Sequence, residues 1–507
     1  MLTGGRLTLE DSYAYAKFAR VALASNDIDM RARPHSAEET QFLAGTVAGR
    51  ASGVTYAELE RAGAVLLAGF EPQDESPIVF LRLRKAARAG RLAVYSLAAA
   101  AGPGLERMSG TLLPTVPGDE TAMLNALANG ADEAGEAGEA PRSGGPGVIP
   151  RVNAALRQPG AVILVGERLA EVPGALSAAA RLAQVTGARL AWVPRRAGER
   201  GAVEAGALPV VLPGGRAVTD DAMRAEVARA WGVASLPAEP GRDTSHILAA
   251  AAAGDIGALV IAGVDPGDLP DPAAALEAME RTRFLVSLEL RTSAVTDRAD
   301  VVLPVAAAAE KAGTFVNWEG RPGSFGSALA VPEIRTDLQV LGMIADQMDV
   351  HLGLPDAGAA RRELNTLLPA VVSDGSAVVA PGSATLGSGI SAGSTAPAGT
   401  FTTVPGQALL ATWHNLLDAG RMQDGEPNLA GTARAAVARM SAATAAEVGV
   451  GDGGKVTVAT ERGAITVPAE IAGMPDRVVW LPTNSAGCAV RAVLGAGHGS
   501  LVTLRSP

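Results

Sequence analysis

Short apolar runs that do not alternate, each closing near a glycine or proline, constrain this chain most strongly. AVLLAGF (64–70), AVILVG (161–166) and ALVIAG (258–263) are of this kind. RLAVYSL (91–97), RLAWVP (189–194), FLVSLEL (284–290) and DVVLP (300–304) repeat the theme with helical stretches between them. A strand with one wet face alternates apolar and polar residues, whereas a strand covered on both faces does not. These runs therefore predict parallel sheets sandwiched by helices. Strand–helix–strand order with short connections agrees, and two α/β blocks follow.

The last hundred residues follow another rule. AAEVGVGDGGKVTVATERGAITVPAEIA (445–472) alternates with period two and turns at Asp452-Gly453-Gly454 and Glu461-Arg462-Gly463. This predicts hairpins and a small antiparallel barrel. Two biased stretches punctuate the chain, one Gly/Ala/Glu-rich and one Gly/Ser/Thr/Pro-rich. Neither carries enough apolar surface to order itself. The expected organisation is an α/β lobe over 1–125, a linker over 126–150 and a second α/β block over 151–365. A second linker over 366–404 and a barrel over 405–507 complete it.

Charge and composition exclude several functions. A net charge of −10 with pI near 5.2 argues against nucleic acid, which needs concentrated Lys and Arg. The single cysteine, Cys488, excludes a disulfide framework and any cluster held by four thiolates within these residues. The five histidines, His35, His246, His351, His414 and His498, never fall at i, i+3 or i+4, so no local zinc motif exists. The most apolar stretch, 246–263, is broken by Asp255, so no bilayer span is expected, and the acidic, amphipathic N-terminus does not read as a signal peptide. Reducing cytosol is the expected compartment.

Candidate site residues come from the loops after the strands, where open α/β sheets bind ligands. Gly69-Phe70-Glu71-Pro72 and Gly263-Val264-Asp265-Pro266 share a Gly–x–acid–Pro order, and Gly166-Glu167 follows a third strand. Tight turns that need glycine explain each alone; their recurrence suggests a two-part cofactor cleft with Glu71 and Asp265 on it. A full dinucleotide fingerprint is absent. Asp119 opens a helix at PGDET (117–121), either as a cap or at an anion site. Asp243-Thr244-Ser245-His246 reads as a helix N-cap, and Gly495–Gly499 as a barrel turn.

Two further stretches carry a family resemblance. They are SNDIDMRARPHS (25–36) and RADVVLPVAAAAEKAGTFVNWEGR (298–321), the latter placing Asn317 before Glu319-Gly320-Arg321. Taken in order with PGD (117–119) and the DGGKV of 452–456, they resemble the molybdopterin oxidoreductase superfamily over nearly the whole chain. TLEDSYAYAKFARVAL, RARPHSAEE, WVPRRAGERGAVEAG and LPGGR are similar to the branch formed by the large iron–sulfur (G-type) subunits of bacterial NADH-quinone oxidoreductase (respiratory complex I), of actinobacterial type.

The resemblance implies a molybdopterin-oxidoreductase-like α/β fold. Its parts would be two parallel-sheet lobes plus a C-terminal antiparallel β-barrel, with 298–365 returning to the first lobe. In active members, the segment matching Ala32–Ser36 supplies an anionic ligand to molybdenum or tungsten. Here Pro34 and His35 stand there, and neither replaces a thiolate on a high-valent metal. The expected outcome is a vestigial cleft bordered by Arg33, His35, Glu71, Asp119, Asp265 and Asn317, with no catalytic residue, bound metal or cofactor. The family's iron–sulfur clusters belong to a cysteine-rich region ahead of the part matched here, so the chain reads as a fragment or as a separately encoded piece.

Expected partners are the other hydrophilic-arm subunits of complex I, with no nucleic acid and no membrane insertion, on the cytoplasmic side of the membrane. The complex passes electrons from NADH through FMN and iron–sulfur clusters to quinone. Two alternatives stay open. One is a molybdenum- or tungsten-dependent oxidoreductase of formate dehydrogenase type, with His35 or an oxo group as substitute ligand. The other is a module that holds a pterin or guanine nucleotide without metal.

Overall fold

A computed structural model describes residues 1–50, 53–130, 147–368 and 403–507. The chain forms two compact units, Met1–Ser52 with Arg196–Ile390, and Gly53–Arg195 with Ser391–Pro507. The boundary at 390/391 falls inside the second biased stretch, and those at 52/53 and 195/196 fall outside both. Segments 1–52 and 53–125 part company, and 298–365 joins the N-terminal segment only. The expected linker over 126–150 is helical at both ends, in Glu120–Asn129 and Val148–Leu156, while 131–146 lies outside the described residues. Most of the second linker, 369–402, also lies outside them. Low complexity here interrupts one sheet rather than separating two, because the strand Ala64–Ala68 still has a free edge for Val162–Gly166.

In the first unit, a four-stranded parallel sheet runs in the order Leu2–Thr3, Leu259–Ala262, Leu285–Glu289, Val301–Pro304. Leu2, Ile261, Leu285, Ile247 and Met279 build its core. The run at 300–304 was expected to be a buried strand. It is the sheet edge, with Val301 and Val302 exposed, because nothing among the described residues pairs beyond it. Helix Leu9–Val21 is buried from Leu9 to Arg20, and Thr8 caps it by accepting from the Asp11 N–H.

In the second unit, five parallel strands run Thr111–Pro114, Ala93–Ala98, Ala64–Ala68, Val162–Gly166, Arg189–Val193. Ala64–Ala68 and Val162–Gly166 are buried throughout, as their lack of alternation predicts. The strand order reverses between these two, which makes a topological switch point.

The C-terminal strands close a six-stranded barrel in the order Gln407–Trp413, Val478–Pro482, Ala438–Met440, Ala464–Ile471, Lys455–Ala459, Leu501–Arg505. The expectation of an antiparallel barrel is corrected: Gln407–Trp413 runs parallel to Val478–Pro482, and Ala438–Met440 parallel to Ala464–Ile471. Those partners lie far apart in sequence, so no turn signal announces them. Ala408 and Leu410 fill the barrel interior, while Leu409, Ala411 and Trp413 point outward to pack with Ala99 and Val116 of the lobe. No helix among the described residues is long and apolar enough to cross a membrane.

Candidate functional site

The segment from Asp29 to Glu39, which contains the expected ligand positions Pro34 and His35, is occupied by its own ion pairs. Arg31 donates Nε and Nη2 to Asp29 at 2.9 and 2.7 Å. Arg33 forks onto Glu39 at 3.0 and 2.8 Å and reaches Glu199 through Nε at 3.1 Å. Glu199 also faces Arg196 at 3.4 Å, which pairs with Asp268 at 3.0 Å. Acid and base thus alternate along a buried row, the arrangement that lets charges survive away from water. Burial opposes ionisation of Asp29, yet Arg31 beside it holds the carboxyl below the usual range.

The His35 side chain is buried against this row. Its Nδ1 lies 2.8 Å from the Arg33 carbonyl, and a carbonyl only accepts, so that nitrogen carries the proton. Nε2 then turns toward Asp243, 3.8 Å away. Asp243 caps helix Thr244–Ala253 by accepting from the His246 N–H, as the sequence predicts. Burial disfavours its charge, but the nearby His35 ring and bonds from the His246 N–H and the His246 ring hold it well below the carboxylate range.

These groups do not fit a high-valent metal. Pro34 has no side-chain donor, one His35 nitrogen is engaged with backbone, and the carboxylates are spent on guanidinium groups. Cys488 sits in the barrel, where it donates to the Pro482 carbonyl at 3.4 Å and burial pushes its thiol up to about 12. Among the described residues, no three His, Cys, Asp or Glu side chains gather as a metal site.

Asp265 accepts from the Gly267 N–H at 2.9 Å and so caps the turn Pro266–Asp268, which delivers Asp268 to Arg196. Asn317 is a turn residue. It accepts from the Arg321 N–H at 2.9 Å and donates to Glu319, closing the hairpin Gly313–Val316/Pro322–Phe325. The hairpin clasps helix Leu9–Val21: Thr314 donates its N–H and hydroxyl to Glu10 at 2.8 and 2.7 Å. A Cβ on Gly313 would stand 2.5 Å from Thr8 Cγ2, so the approach requires glycine.

Glu71 and Asp119 belong to the second unit. Glu71 lies at the switch point and accepts from the N–H groups of Gln73 and Gly104 at 3.2 and 3.1 Å. A Cβ at Gly102 would fall 1.7 Å from its Oε2. Burial, then the neighbouring Asp74, raises its carboxyl to about 7. Glu75 next to it pairs with Arg168 at 2.9 Å. Asp119 holds the N-cap position of helix Glu120–Asn129 without a capping bond to it, and the following Glu120 makes the long-range contact, to His498 at 2.7 Å.

Of the six candidates, Arg33 and His35 therefore attach to one buried network, Asp265 caps the turn that brings Asp268 to it, Asn317 serves a hairpin of the same unit, and Glu71 and Asp119 belong to the second unit. A further cluster escaped sequence reasoning. Lys311 bridges Asp11 and Asp337 at 2.6 and 2.9 Å, with the Tyr15 hydroxyl on Asp337 at 2.9 Å. Lys17 and Tyr13 both meet Glu363 at 2.7 Å. Its signal was the first helix itself, whose Glu10, Asp11, Lys17 and Arg20 leave no single polar face.

The model of the molybdopterin oxidoreductase family matches residues 1–347, and that of the molydopterin dinucleotide binding domain matches 410–505. The G-type subunit of NADH-quinone oxidoreductase from Mycobacterium tuberculosis is 55% identical over 507 residues, covering 99% of this chain and 59% of its own length. Its counterpart in Streptomyces coelicolor, a G-type subunit of the same oxidoreductase, is 52% identical over 526 residues, with the same coverage. The chain thus spans about three-fifths of these relatives' length. Acetylene hydratase from Pelobacter acetylenicus shares the fold with a TM-score of 0.57 at 13% identity, covering 100% of this chain and 86% of that one.

Proposed function

The chain belongs to the molybdopterin oxidoreductase family, and on that premise we propose that it is the scaffold part of a G-type subunit of proton-translocating NADH-quinone oxidoreductase, without a catalytic centre of its own. In that complex, electrons would pass from NADH through FMN and iron–sulfur clusters to quinone. This part would support the cluster-bearing region and neighbouring hydrophilic-arm subunits on the cytoplasmic side of the membrane. The relatives from Mycobacterium tuberculosis and Streptomyces coelicolor support the assignment. The observation that carries the non-catalytic reading is the ligand segment itself, in which Arg31 and Arg33 are buried and bound to Asp29, Glu39 and Glu199.

The test uses the intact complex isolated from its own membrane through a tag on this chain. His35→Ala is expected to leave NADH:quinone turnover per assembled complex unchanged, and molybdenum and tungsten to be substoichiometric by elemental analysis. One such atom per chain, with turnover of a small acid or oxyanion lost in the variant, would instead establish the formate dehydrogenase-type alternative.

A further inference from the structure

A buried histidine joins the barrel to its own lobe. His498 lies in the loop between the helical turn Val490–Leu494 and the last barrel strand, Leu501–Arg505. Its Nε2 meets Glu120 Oε1 at 2.7 Å, and both side chains are more than nine-tenths buried. The other oxygen of Glu120 accepts from the Gly118 N–H at 2.7 Å, so the carboxylate is anchored at the start of helix Glu120–Asn129. Other charges face the ring. Glu171, from the turn Glu167–Glu171, adds a second negative charge, and Arg168 of the same turn a positive one. Arg168 is neutralised by Glu75 at 2.9 Å, while Arg491 from the barrel side meets Glu171 at 3.5 Å.

A carboxylate only accepts, so Nε2 must carry a hydrogen. Nδ1 is buried with no hydrogen-bond partner, and whether it also carries one decides the charge of the joint. Glu171 is paired with Arg491 as Arg168 is with Glu75, which leaves Glu120, in direct contact with the ring, as the charge that favours the cation. We propose that the barrel is fastened to its α/β lobe by a protonation-dependent latch, in which the imidazolium of His498 pairs with Glu120 and loss of its proton loosens residues 495–500 from the start of helix Glu120–Asn129.

Desolvation works against the cation, but Glu120 and then Glu171 outweigh it, and the group titrates above its ordinary value of 6.5. A histidine raised on folding contributes stability that is fully present below the unfolded value. That contribution is lost as pH rises through the folded one, so the window opens above 6.5 and toward the alkaline side. Each unit of elevation corresponds to about a tenfold change in the closing equilibrium.

Hydrogen exchange of the full chain, corrected for intrinsic chemistry, reads this directly. Between slightly acidic and alkaline pH, the amides of 495–500 and 118–122 are expected to open several-fold more often. His498→Gln, which keeps a donor but cannot become a cation, should flatten that dependence. Equal pH dependence in the variant and the wild-type chain would overturn the latch. A second reading needs no change at His498: in a chain carrying 13C-labelled histidine, one resonance should titrate above 6.5 and move down in Glu120→Gln. Titration of all five histidines at or below 6.5 would overturn it as well.

Discussion

Arg33 reaches Glu199 across 166 residues of chain, Nε to Oε1 at 3.1 Å, with both side chains buried. The same guanidinium forks onto Glu39. One arginine therefore joins two buried carboxylates, each with a second arginine near it, Arg31 at 3.7 Å from Glu39 and Arg196 at 3.4 Å from Glu199.

Arg33→Met is expected to destabilise the chain by roughly 3–5 kcal/mol, because the loss of a buried partner leaves an excess of buried negative charge. Arg33→Lys should rescue little, since an ammonium cannot fork onto Glu39 while reaching Glu199. Urea unfolding followed by circular dichroism checks both. A loss under about 1 kcal/mol for Arg33→Met would mean that the pairing is incidental.

Lys311 makes a sharper case, because its effect depends on pH. Burial opposes its charge, yet Asp11 and Asp337 hold it protonated well above the ordinary lysine range. Burial and the proximity of Asp11 already raise the Asp337 carboxyl. Lys311→Met leaves these two acids facing each other, so the cost falls on their ionised forms. The variant should lose several-fold more stability near neutrality than at mildly acidic pH, where the raised Asp337 carboxyl takes up its proton. Midpoints of urea unfolding compared across that range decide it, and a loss independent of pH would show that Lys311 acts through packing alone.

How much of this was legible beforehand depends on the range of each interaction. The parallel sheets could be read because burial on both faces is written locally, in Ala64–Ala68 and Val162–Gly166. The hairpin from Lys455–Ala459 to Ala464–Ile471 announced itself through Glu461-Arg462-Gly463. The unit boundaries at 52/53 and 195/196 did not, and the biased stretch after 125 falls between two paired strands of one sheet. Arg33 and His35 stood out by position, but their partners Glu199 and Asp243 lie far along the chain, and no local pattern names them. The segment 313–321 was recognised as a motif, and only the contact of Thr314 with Glu10 explains it as a clasp.

Gly102 tests the close packing around the switch point. Its missing side chain makes room for Glu71 Oε2, where a Cβ would stand 1.7 Å away. Gly102→Ala should cost about 1–3 kcal/mol through overpacking. In a Glu71→Ala background, the same change should cost much less, because the obstructing carboxylate is gone. Additive losses in the double variant, measured by denaturant unfolding, would place the strain elsewhere.

Glu71 itself should give the second unit a pH signature. Burial, then Asp74, lifts its carboxyl from 4.5 to about 7 in the folded chain. A carboxyl raised on folding binds its proton more tightly in the native state. Its contribution is therefore fully present below 4.5 and is lost as pH rises through about 7. The difference amounts to about 3 kcal/mol across that window. Glu71→Gln keeps an acceptor for the N–H groups of Gln73 and Gly104 but carries no charge at any pH. The variant should match the wild-type chain near pH 4.5 and exceed it in stability above pH 7. Urea midpoints taken along that range should converge at the acidic end and separate at the alkaline end. A constant offset between the two chains would mean that Glu71 does not titrate there, and that the carboxylate is held ionised by the amides it caps.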